Sequence, residues 1–436
     1  MRPTLVTFAL AAAAGTLSAQ DFPTKPPAPM PVKAAQFPPF QEATLPNGLR
    51  LLVVENHKLP VISVQLAFPA GGTYDPNGKV GMADMVAALL TKGAGTRTAD
   101  EFSAAIEGIG GSIAASADPD FMTISASFLT GDAAFGMGLM ADATMRPSFA
   151  ATEVELARTQ TLSALQLEQS DPAAIAARFV ARGLYGAHPY GRRPDPASVK
   201  AITQADLKAF QATRLRPSGA LLVFAGDVSL AKAKELATAA FARWTGTAPA
   251  VVAATLPSAR TTTEILLVHR AGSVQSNILV GNLTWGPSDP RVYGARLANQ
   301  VLGGGPNSRL EPILREQKGW TYSSRSGFTR QKSTGHFEAN TEVRTDVTDS
   351  ALVELLSQLK RIGAETIETK EFEDAKSSLV GRFPLQVETS AQVAGQVTMA
   401  RLLGLPGDYV QTYRQKLAAV TPAIARAAAK DGIKRD

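Results

Sequence analysis

The order of predicted strands and helices occurs twice along this chain of 436 residues. In the first half, β-rich runs at 49–55 and 61–68 precede amphipathic helices, and an apolar run at 220–227 precedes a last helix. In the second half, residues 265–285 offer two strands, and further helices and strands follow in the same order. Two halves of similar plan indicate an internal duplication of an α+β unit, in which a sheet buries one face against helices.

The boundaries of the two units are predicted from where periodicity stops. Residues 245–262 lose it, which predicts a linker between an N-terminal domain at 44–244 and a C-terminal domain at 263–436. The second unit stops after a predicted helix, at the point where the first unit continues into the strand 220–227. Two interpretations stay open: the chain is truncated, or the second unit has no such strand.

The first residues have the composition of a secretory signal peptide. A basic residue, Arg2, precedes an apolar run at 5–14, and small residues at 17–19 form a cleavage site. We therefore expect residues 1–19 to be removed on export to the periplasm. The stretch 20–43 that follows is crowded with proline, so we expect an extended arm there.

Composition disfavours several classes of function. The chain has no cysteine and only four histidines, which are scattered along its length, so thiol chemistry and a two-histidine metal clamp on one helix are excluded. The net charge of +6 is spread over the whole chain, and aromatic residues make up 6%, which argues against a nucleic-acid partner. Beyond the leader, no segment is long and apolar enough to span a membrane.

The motifs along both halves resemble, in order, those of the pitrilysin/insulinase family of metallopeptidases. The similarity is to its short-chain subgroup, which includes mitochondrial processing peptidase, and it covers residues 44–436. The matching segments are TLPNGLRLLVVENHKLPVISV, GTYDPNGKVGMADMVAALLTKGAGTRT, GGSIAASADPDF, HPYGRRP, VQSNILVGN, LGGGPNSRLEPILREQKGWTY and LLGLPGDY. The resemblance implies an α+β fold of two homologous domains, each an antiparallel-rich β-sheet packed with helices, which form half of a clamshell chamber.

The resemblance also shows where the family's catalytic zinc motif, H-x-x-E-H, would lie. Its two histidines fall on Asp84 and Ala88, and its general base falls on Ala87. The third ligand, a glutamate on a later helix, falls on Ala164. All four chemical positions are lost, and Asp84 alone cannot replace the three protein ligands of a catalytic zinc. We therefore predict neither a metal nor a cofactor in this chain.

A second family signature is retained. Family members hold substrate with an arginine and a tyrosine seven residues apart, and in the string LREQKGWTY these are Arg315 and Tyr322. We expect Arg315 on a helix over 307–317 that Gly319 ends in a left-handed cap, and Tyr322 at the start of a strand. A tyrosine hydroxyl is a neutral donor at pH 7, and arginine offers fork-shaped donors to a peptide carbonyl or carboxylate. Without the resemblance, a solvated helix residue and ordinary strand packing would be the simpler interpretation.

Other conspicuous residues receive structural interpretations. The glycine run 303–305 lacks the spacing of a phosphate loop and predicts a tight turn, followed by a helix cap at Asn307-Ser308. The histidines are assigned no chemical role: His57 is expected in a turn, His188 has a structural role, and neither His269 nor His336 has a partner that the sequence identifies.

Two functions follow from the lost motif and the retained pair. The first is a subunit of a heterodimeric zinc peptidase, in which a homologous partner carries H-x-x-E-H and zinc while Arg315 and Tyr322 hold unfolded peptides in trans. In the family, such substrates join a sheet edge as an extended strand. The alternative is a catalytically inert scaffold or peptide-binding protein on the same fold. A self-sufficient hydrolase is disfavoured because no Ser/His/Asp arrangement is evident.

Overall fold

The computed structural model describes residues 37–250, 254–258 and 260–434. The predicted signal peptide, 1–19, and the predicted arm up to residue 36 lie outside the described residues, so both remain predictions. The end of the arm is described, and it forms the first strand of a sheet, with Gln41 opposite Val53 of the next strand.

The first half contributes a sheet with six strands among the described residues. In chain order they are β1 (Gln41–Thr44), β2 (Arg50–Glu55), β3 (Val61–Phe68), β4 (Ser112–Ala117), β5 (Met122–Leu129) and β6 (Leu221–Gly226). They lie in the order β1-β2-β6-β3-β5-β4, and every neighbouring pair is antiparallel except β2 with β6. The apolar runs of β2 and β6 are buried along most of their length, as strands covered on both faces require.

Helices from the first half surround this sheet. They are α1 (Met82–Leu89), α2 (Ala99–Glu107), α3 (Ala133–Met145), α4 (Ala151–Glu168), α5 (Pro172–Tyr185), α6 (Pro196–Ala201), α7 (Gln204–Arg214) and α8 (Leu230–Phe241). Thr203 caps α7 through reciprocal bonds with Asp206. Among the residues that the structure describes, no helix is both long and apolar enough to cross a membrane.

The second half repeats the three-strand centre of the first. Its strands β7 (Gln275–Thr284), β8 (Thr321–Arg330) and β9 (Gly335–Arg344) lie in the antiparallel order β7-β9-β8. In the first half, β3-β5-β4 has the same order, with the strand that comes last in the chain in the middle. The helices of this half are α9 (Arg291–Leu302), α10 (Thr348–Ala364), α11 (Thr369–Arg382), α12 (Ser390–Leu402), α13 (Tyr409–Ala418) and α14 (Pro422–Gly432). The repeated strand order agrees with an internal duplication of one α+β unit.

The two halves share a hydrophobic core. Helix α12 packs on β3 and β6 of the first sheet, and α5 of the first half packs on β7. One apolar cluster therefore joins first-sheet residues such as Leu52 and Val223 to Val397 of α12. The opposite face of the first sheet buries a second cluster under α1, α3, α7 and α8. The described residues from 37 onward form one compact unit, and the boundaries of the predicted linker remain a prediction.

The apolar segment at 263–270 does not form the strand that its sequence predicts. Ile265 is 79% exposed and Leu267 is 90% exposed, and no strand among the described residues pairs with them. In the first half, β2 is paired on one side by β6. Because an extended backbone needs a neighbouring strand for its N–H and C=O groups, the two strands expected in 265–285 reduce to β7.

The helix predicted over 307–317 is wrong in type. Residues 310 and 311 are α-helical, and Pro312–Gln317 form a π-helical turn. Ser308 does not cap this segment, since its hydroxyl donates to the carbonyl oxygen of Gly305. Strand β4 was also absent from the prediction, because its sequence SIAASA consists mostly of small residues with weak strand preference.

Candidate substrate-binding site

Helix α1 carries the positions of the lost zinc motif. Asp84 and Ala88 lie one turn apart on its exposed face, whereas Ala87 is 2% exposed and packs in the core. Helix α4, which packs against α1, exposes Ala164. The helices of the family site are therefore present, but one carboxylate and three methyl groups do not fit zinc.

Asp84 stands among charged residues but has too few neighbours to bind a metal. Its side chain reaches the surface, yet surrounding groups reduce its hydration and raise the pKa of its carboxyl. The carboxylate of Asp118 raises this pKa further, and the guanidinium of Arg193 lowers it. Across the described part of the chain, no group of three His, Asp or Glu side chains is placed to hold a metal ion.

The start of α1 is held by a buried carboxylate from the preceding loop. Gly81 occupies the N-cap position with φ of +99° and has no side chain to offer. Asp75 instead accepts bonds from the N–H groups of Gly81 at 2.7 Å and Ala83 at 2.8 Å. Burial raises the pKa of Asp75 to about 6, against the lowering effect of these two bonds. The sequence does not signal this role for Asp75, because the carboxylate caps a helix that begins several residues later.

Arg315 and Tyr322 lie against each other on the surface of the second half. The guanidinium carbon of Arg315 lies 4.6 Å from the centroid of the Tyr322 ring, within range of a cation–π contact. Tyr322 is 82% exposed and the Arg315 side chain 46%, so a ligand can reach both. Gly319 lies between them in the chain with φ of +63°. The structure brings the two residues together, and their role in holding substrate remains a prediction.

Both members of this pair lie on irregular backbone. Arg315 is in the π-helical turn Pro312–Gln317, whose hydrogen bonds span five residues rather than four. Tyr322 lies in a β-bulge, where it and Ser323 together stand opposite the single β9 residue Glu342. Residue patterning does not signal either irregularity, since both arise from how the turn and the strand meet.

A buried carboxylate joins the π-helical turn to the bulge. Glu311 is 7% exposed. Its Oε1 accepts a bond from Nη1 of Arg315 at 3.0 Å, and its Oε2 accepts one from the N–H of Ser324 at 3.0 Å. Burial disfavours the ionised form, but these bonds outweigh burial and hold the pKa of Glu311 below its usual range. The sequence does not signal this role for Glu311, because its partner Ser324 lies on a separate strand.

The glycine run 303–305 makes a tight turn beside β8. The carbonyl oxygen of Gly303 accepts a bond from the N–H of Ser326 at 3.0 Å. A Cβ atom on Gly303 would lie 2.4 Å from the Ser326 hydroxyl oxygen, so only glycine permits this approach.

Buried polar side chains join the two halves near β8. The hydroxyl of Tyr185, on α5, lies 2.9 Å from Nδ1 of His336 on β9. The Asp120 carboxylate accepts bonds from the Tyr190 hydroxyl at 2.6 Å and from the N–H of Lys332 at 2.8 Å. Burial lowers the pKa of His336, which keeps its imidazole neutral at pH 7. The sequence identified no partner for His336, because that partner lies 151 positions away.

The remaining histidines are dispersed. His57 lies in an exposed turn with Nδ1 at 2.7 Å from the Asp227 carboxylate. His188 is buried, and its Nδ1 accepts a bond from the N–H of Tyr190 at 3.2 Å, which agrees with a structural role. His269 is exposed in the segment before β7.

A cavity of about 600 Å³ opens between the loop 118–121 and β8. Arg193, Arg325 and Arg330 line it together with acidic side chains, so both signs of charge face the space. Its β8 wall begins three residues along the strand from Tyr322. A cavity of this size, lined by charged and apolar side chains, has room for part of an extended peptide.

Models of two related domains match both halves of the chain. The description Insulinase (Peptidase family M16) applies to residues 50–193, and Peptidase M16 inactive domain applies to residues 201–379. An uncharacterized zinc protease of Mycobacterium leprae (strain TN) is 28% identical over 367 residues, covering 82% of this chain and 81% of that protein. The non-peptidase homolog YmxG of Helicobacter pylori is 26% identical over 373 residues, covering 82% of this chain and 83% of that protein.

Solved structures reproduce the fold. The peptidase M16 inactive domain from Pseudomonas fluorescens superposes with a TM-score of 0.84 at 26% identity, covering 91% of this chain and 96% of that one. A protease from Helicobacter pylori gives the same TM-score at 20% identity, covering 91% and 97%, a likeness that concerns the fold alone. Since models of one family match both halves and its solved members share this architecture, the chain belongs to the insulinase family, peptidase family M16, as a member without the H-x-x-E-H zinc motif.

Proposed function

We propose that this chain is the non-zinc subunit of an exported, heterodimeric zinc peptidase that degrades unfolded peptides. Its partner is a homologous subunit that carries H-x-x-E-H and zinc, and Arg315 and Tyr322 contact the peptide held at that subunit's site. One contrast within the molecule carries the proposal. The zinc positions retain a single carboxylate, Asp84, while Arg315 and Tyr322 are retained, adjacent and exposed.

The chemistry of the pair suits a peptide carbonyl. The hydroxyl of Tyr322 has no hydrogen-bond partner among the described residues and is free to donate to a carbonyl oxygen. A guanidinium has five N–H donors, and the Glu311 carboxylate engages Arg315 through one nitrogen, Nη1. The remaining donors are available to an oxygen that gains negative charge as the peptide reacts.

Two further features support the assignment. The leader at 1–19 supports export to the periplasm, where extended peptides from damaged proteins are available as substrates. The cavity along β8, the strand that carries Tyr322, provides a surface of mixed charge, which suits loose sequence preference rather than selection of one side chain.

Co-expression tests the proposal. This chain is produced with an H-x-x-E-H homolog encoded near it, and cleavage of an unstructured fluorogenic peptide is measured for each chain alone and for the purified mixture. We expect the two chains to co-purify and the mixture to cleave the peptide, with each chain alone inactive. A homolog whose activity is the same with and without this chain would overturn the proposal.

The alternative is an inert scaffold or peptide-binding protein, and the non-peptidase homolog of Helicobacter pylori favours it by name. The two functions differ in what Arg315 and Tyr322 contribute. A scaffold predicts a stable complex whose peptide cleavage, if any, is insensitive to both residues. The subunit function predicts that cleavage depends on both.

A further inference from the structure

Glu311 is a buried carboxylate that neither the fold nor the proposed function has so far required. It is 7% exposed, and ionised side chains are rarely this buried unless they are paired. Both of its oxygens are bonded: one to the guanidinium of Arg315, and the other to the backbone of Ser324. It therefore connects the segment that carries Arg315 to the strand that carries Tyr322.

The position of Ser324 is informative. It is the first residue of β8 to return to register with β9 after the bulge, and it is 1% exposed. Its N–H donates to Glu311 at 3.0 Å. Within the bulge, the hydroxyl of Thr321 bonds to the backbone of Ser323 at 2.8 Å and 3.1 Å, which fixes the two residues that flank Tyr322. The backbone of the bulge is therefore held at its start by the Thr321 hydroxyl and at its end by the Glu311 carboxylate.

Arg315 is restrained by the same carboxylate. An arginine side chain loses rotamer freedom when it is ordered, and this one is nearly half exposed. Its Nη1 lies 3.0 Å from Glu311, four residues earlier, while its guanidinium covers the Tyr322 ring at 4.6 Å. A charge-assisted bond to a buried, immobile acceptor orders the guanidinium more strongly than a contact with an exposed ring.

We propose that Glu311 is a positioning residue that holds Arg315 and the bulged strand of Tyr322 in one fixed arrangement, so that the pair is set before a peptide arrives. The geometric part concerns this chain alone, and the effect on peptides rests on the proposed function. Preorganisation of this kind lowers the ordering cost at the moment of binding.

A test on the isolated full chain addresses the geometry. The side-chain protons of Arg315, labelled with ¹³C and ¹⁵N, are expected to be shifted upfield by the Tyr322 ring beneath them. In Glu311→Gln, which keeps the shape and removes the charge, we expect most of this shift to be lost while the unfolding midpoint shows a folded chain. Glu316→Gln is the matched control, because Glu316 is exposed on the same turn and carries the same charge.

The shorter variant Glu311→Asp provides a second measurement, since it keeps the charge but does not reach both partners. Loss of the Arg315 shift in either folded variant, with the control unchanged, supports the positioning role. A shift that stays unchanged in both folded variants overturns it.

A second arm uses the mixture with the H-x-x-E-H homolog. Glu311→Gln is expected to lower kcat/KM for the peptide about tenfold. If Glu311 acts only through the pair, adding Glu311→Gln to the double variant Arg315→Gln, Tyr322→Phe causes no further loss, whereas effects that multiply contradict the positioning role. If the wild-type mixture is inactive, the proposed function fails on its own, and the spectra of the isolated chain still decide the role of Glu311.

Discussion

Helix α1 of the first half has the regular backbone of the family's zinc site without its ligands, whereas the π-helical turn of the second half carries a side chain of the family's substrate-binding motif. Helix α1 is regular, is capped by Asp75 and packs its inner face in the core, but its outer face no longer carries metal ligands. Around Pro312–Gln317 the backbone is irregular, and the exposed side chains of Arg315 and Tyr322 are retained. The inner face of α1 explains why that helix persists, since the core depends on it. Core packing does not account for an exposed tyrosine in a bulge, so the second region points to a function that selects surface geometry.

The largest expected effect is on zinc affinity, in a variant of α1 and α4 that regains the three metal ligands. If only the ligands of the first region were lost, the variant Asp84→His, Ala88→His and Ala164→Glu restores three ligands on α1 and α4. We expect it to bind zinc about a thousandfold more tightly than the wild type, measured by competition with a chromophoric chelator. The control keeps the two histidines but leaves Ala164, and it should bind weakly. Equal zinc affinity for the variant and the wild type would show that the helices themselves have moved apart.

The Asp75 carboxylate that caps α1 should make the free energy of unfolding depend on pH. The folded pKa of Asp75 is raised from 3.8 to about 6, so the folded chain holds this proton more tightly than the unfolded chain. Its contribution to stability is fully present below pH 3.8 and is lost as pH rises through 6. Across that range, the free energy of unfolding of the wild type should fall by about 3 kcal/mol relative to Asp75→Asn.

Urea unfolding of both proteins between about pH 3 and pH 7.5 measures this difference, because the window must begin below the unfolded pKa of 3.8 and end above the folded pKa of about 6. The two stability curves should converge or cross as pH changes, because the asparagine does not titrate. Parallel curves would contradict this prediction, because they would mean that the pKa of Asp75 is the same in the folded and the unfolded chain.

The smallest expected effects are on stability, and they compare the buried hydroxyl of Tyr185 with the exposed hydroxyl of Tyr322. Tyr185→Phe removes a buried hydroxyl that bonds to Gln331 and His336 of the other half, so we expect it to lower the free energy of unfolding by about 2 kcal/mol. Tyr322 is 82% exposed, and Tyr322→Phe should change stability by less than about 0.5 kcal/mol. Thermal or urea unfolding checks both values. A large stability loss in Tyr322→Phe would make that residue part of the fold.

Much of the fold could be predicted from periodicity, because the sheet strands and long helices bury continuous apolar faces. The runs at β2 and β6 and the capped start of α7 are examples, since each is specified by neighbouring residues. The segment at 265–268 shows the limit. Its composition is typical of a strand, but a strand also needs a partner, and pairing over long sequence separations leaves no local signal.

In the candidate site, the exposed pair could be predicted from the sequence, but the carboxylates that hold the backbone could not. The positions of Arg315 and Tyr322 followed from the family motif, and the turn at Gly319 agreed with its sequence. The groups that hold the site were missed, because Asp75 bonds to the backbone of a later helix and Glu311 bonds to the backbone of a separate strand. Side chains that cap a helix or bridge two elements follow no periodic pattern in the sequence, so they become evident only in the folded structure.

The most direct test of the account is the activity of the mixture when one hydroxyl is removed. Tyr322→Phe keeps the ring beneath Arg315, and Tyr74→Phe is a matched control because that ring also lies under an arginine, Arg214, at 4.8 Å. With an H-x-x-E-H partner present, we expect Tyr322→Phe to lower kcat/KM for an unstructured peptide about a hundredfold and Tyr74→Phe to leave it unchanged. Equal activity of the wild-type and Tyr322→Phe mixtures would contradict the contribution of this chain to the partner's site.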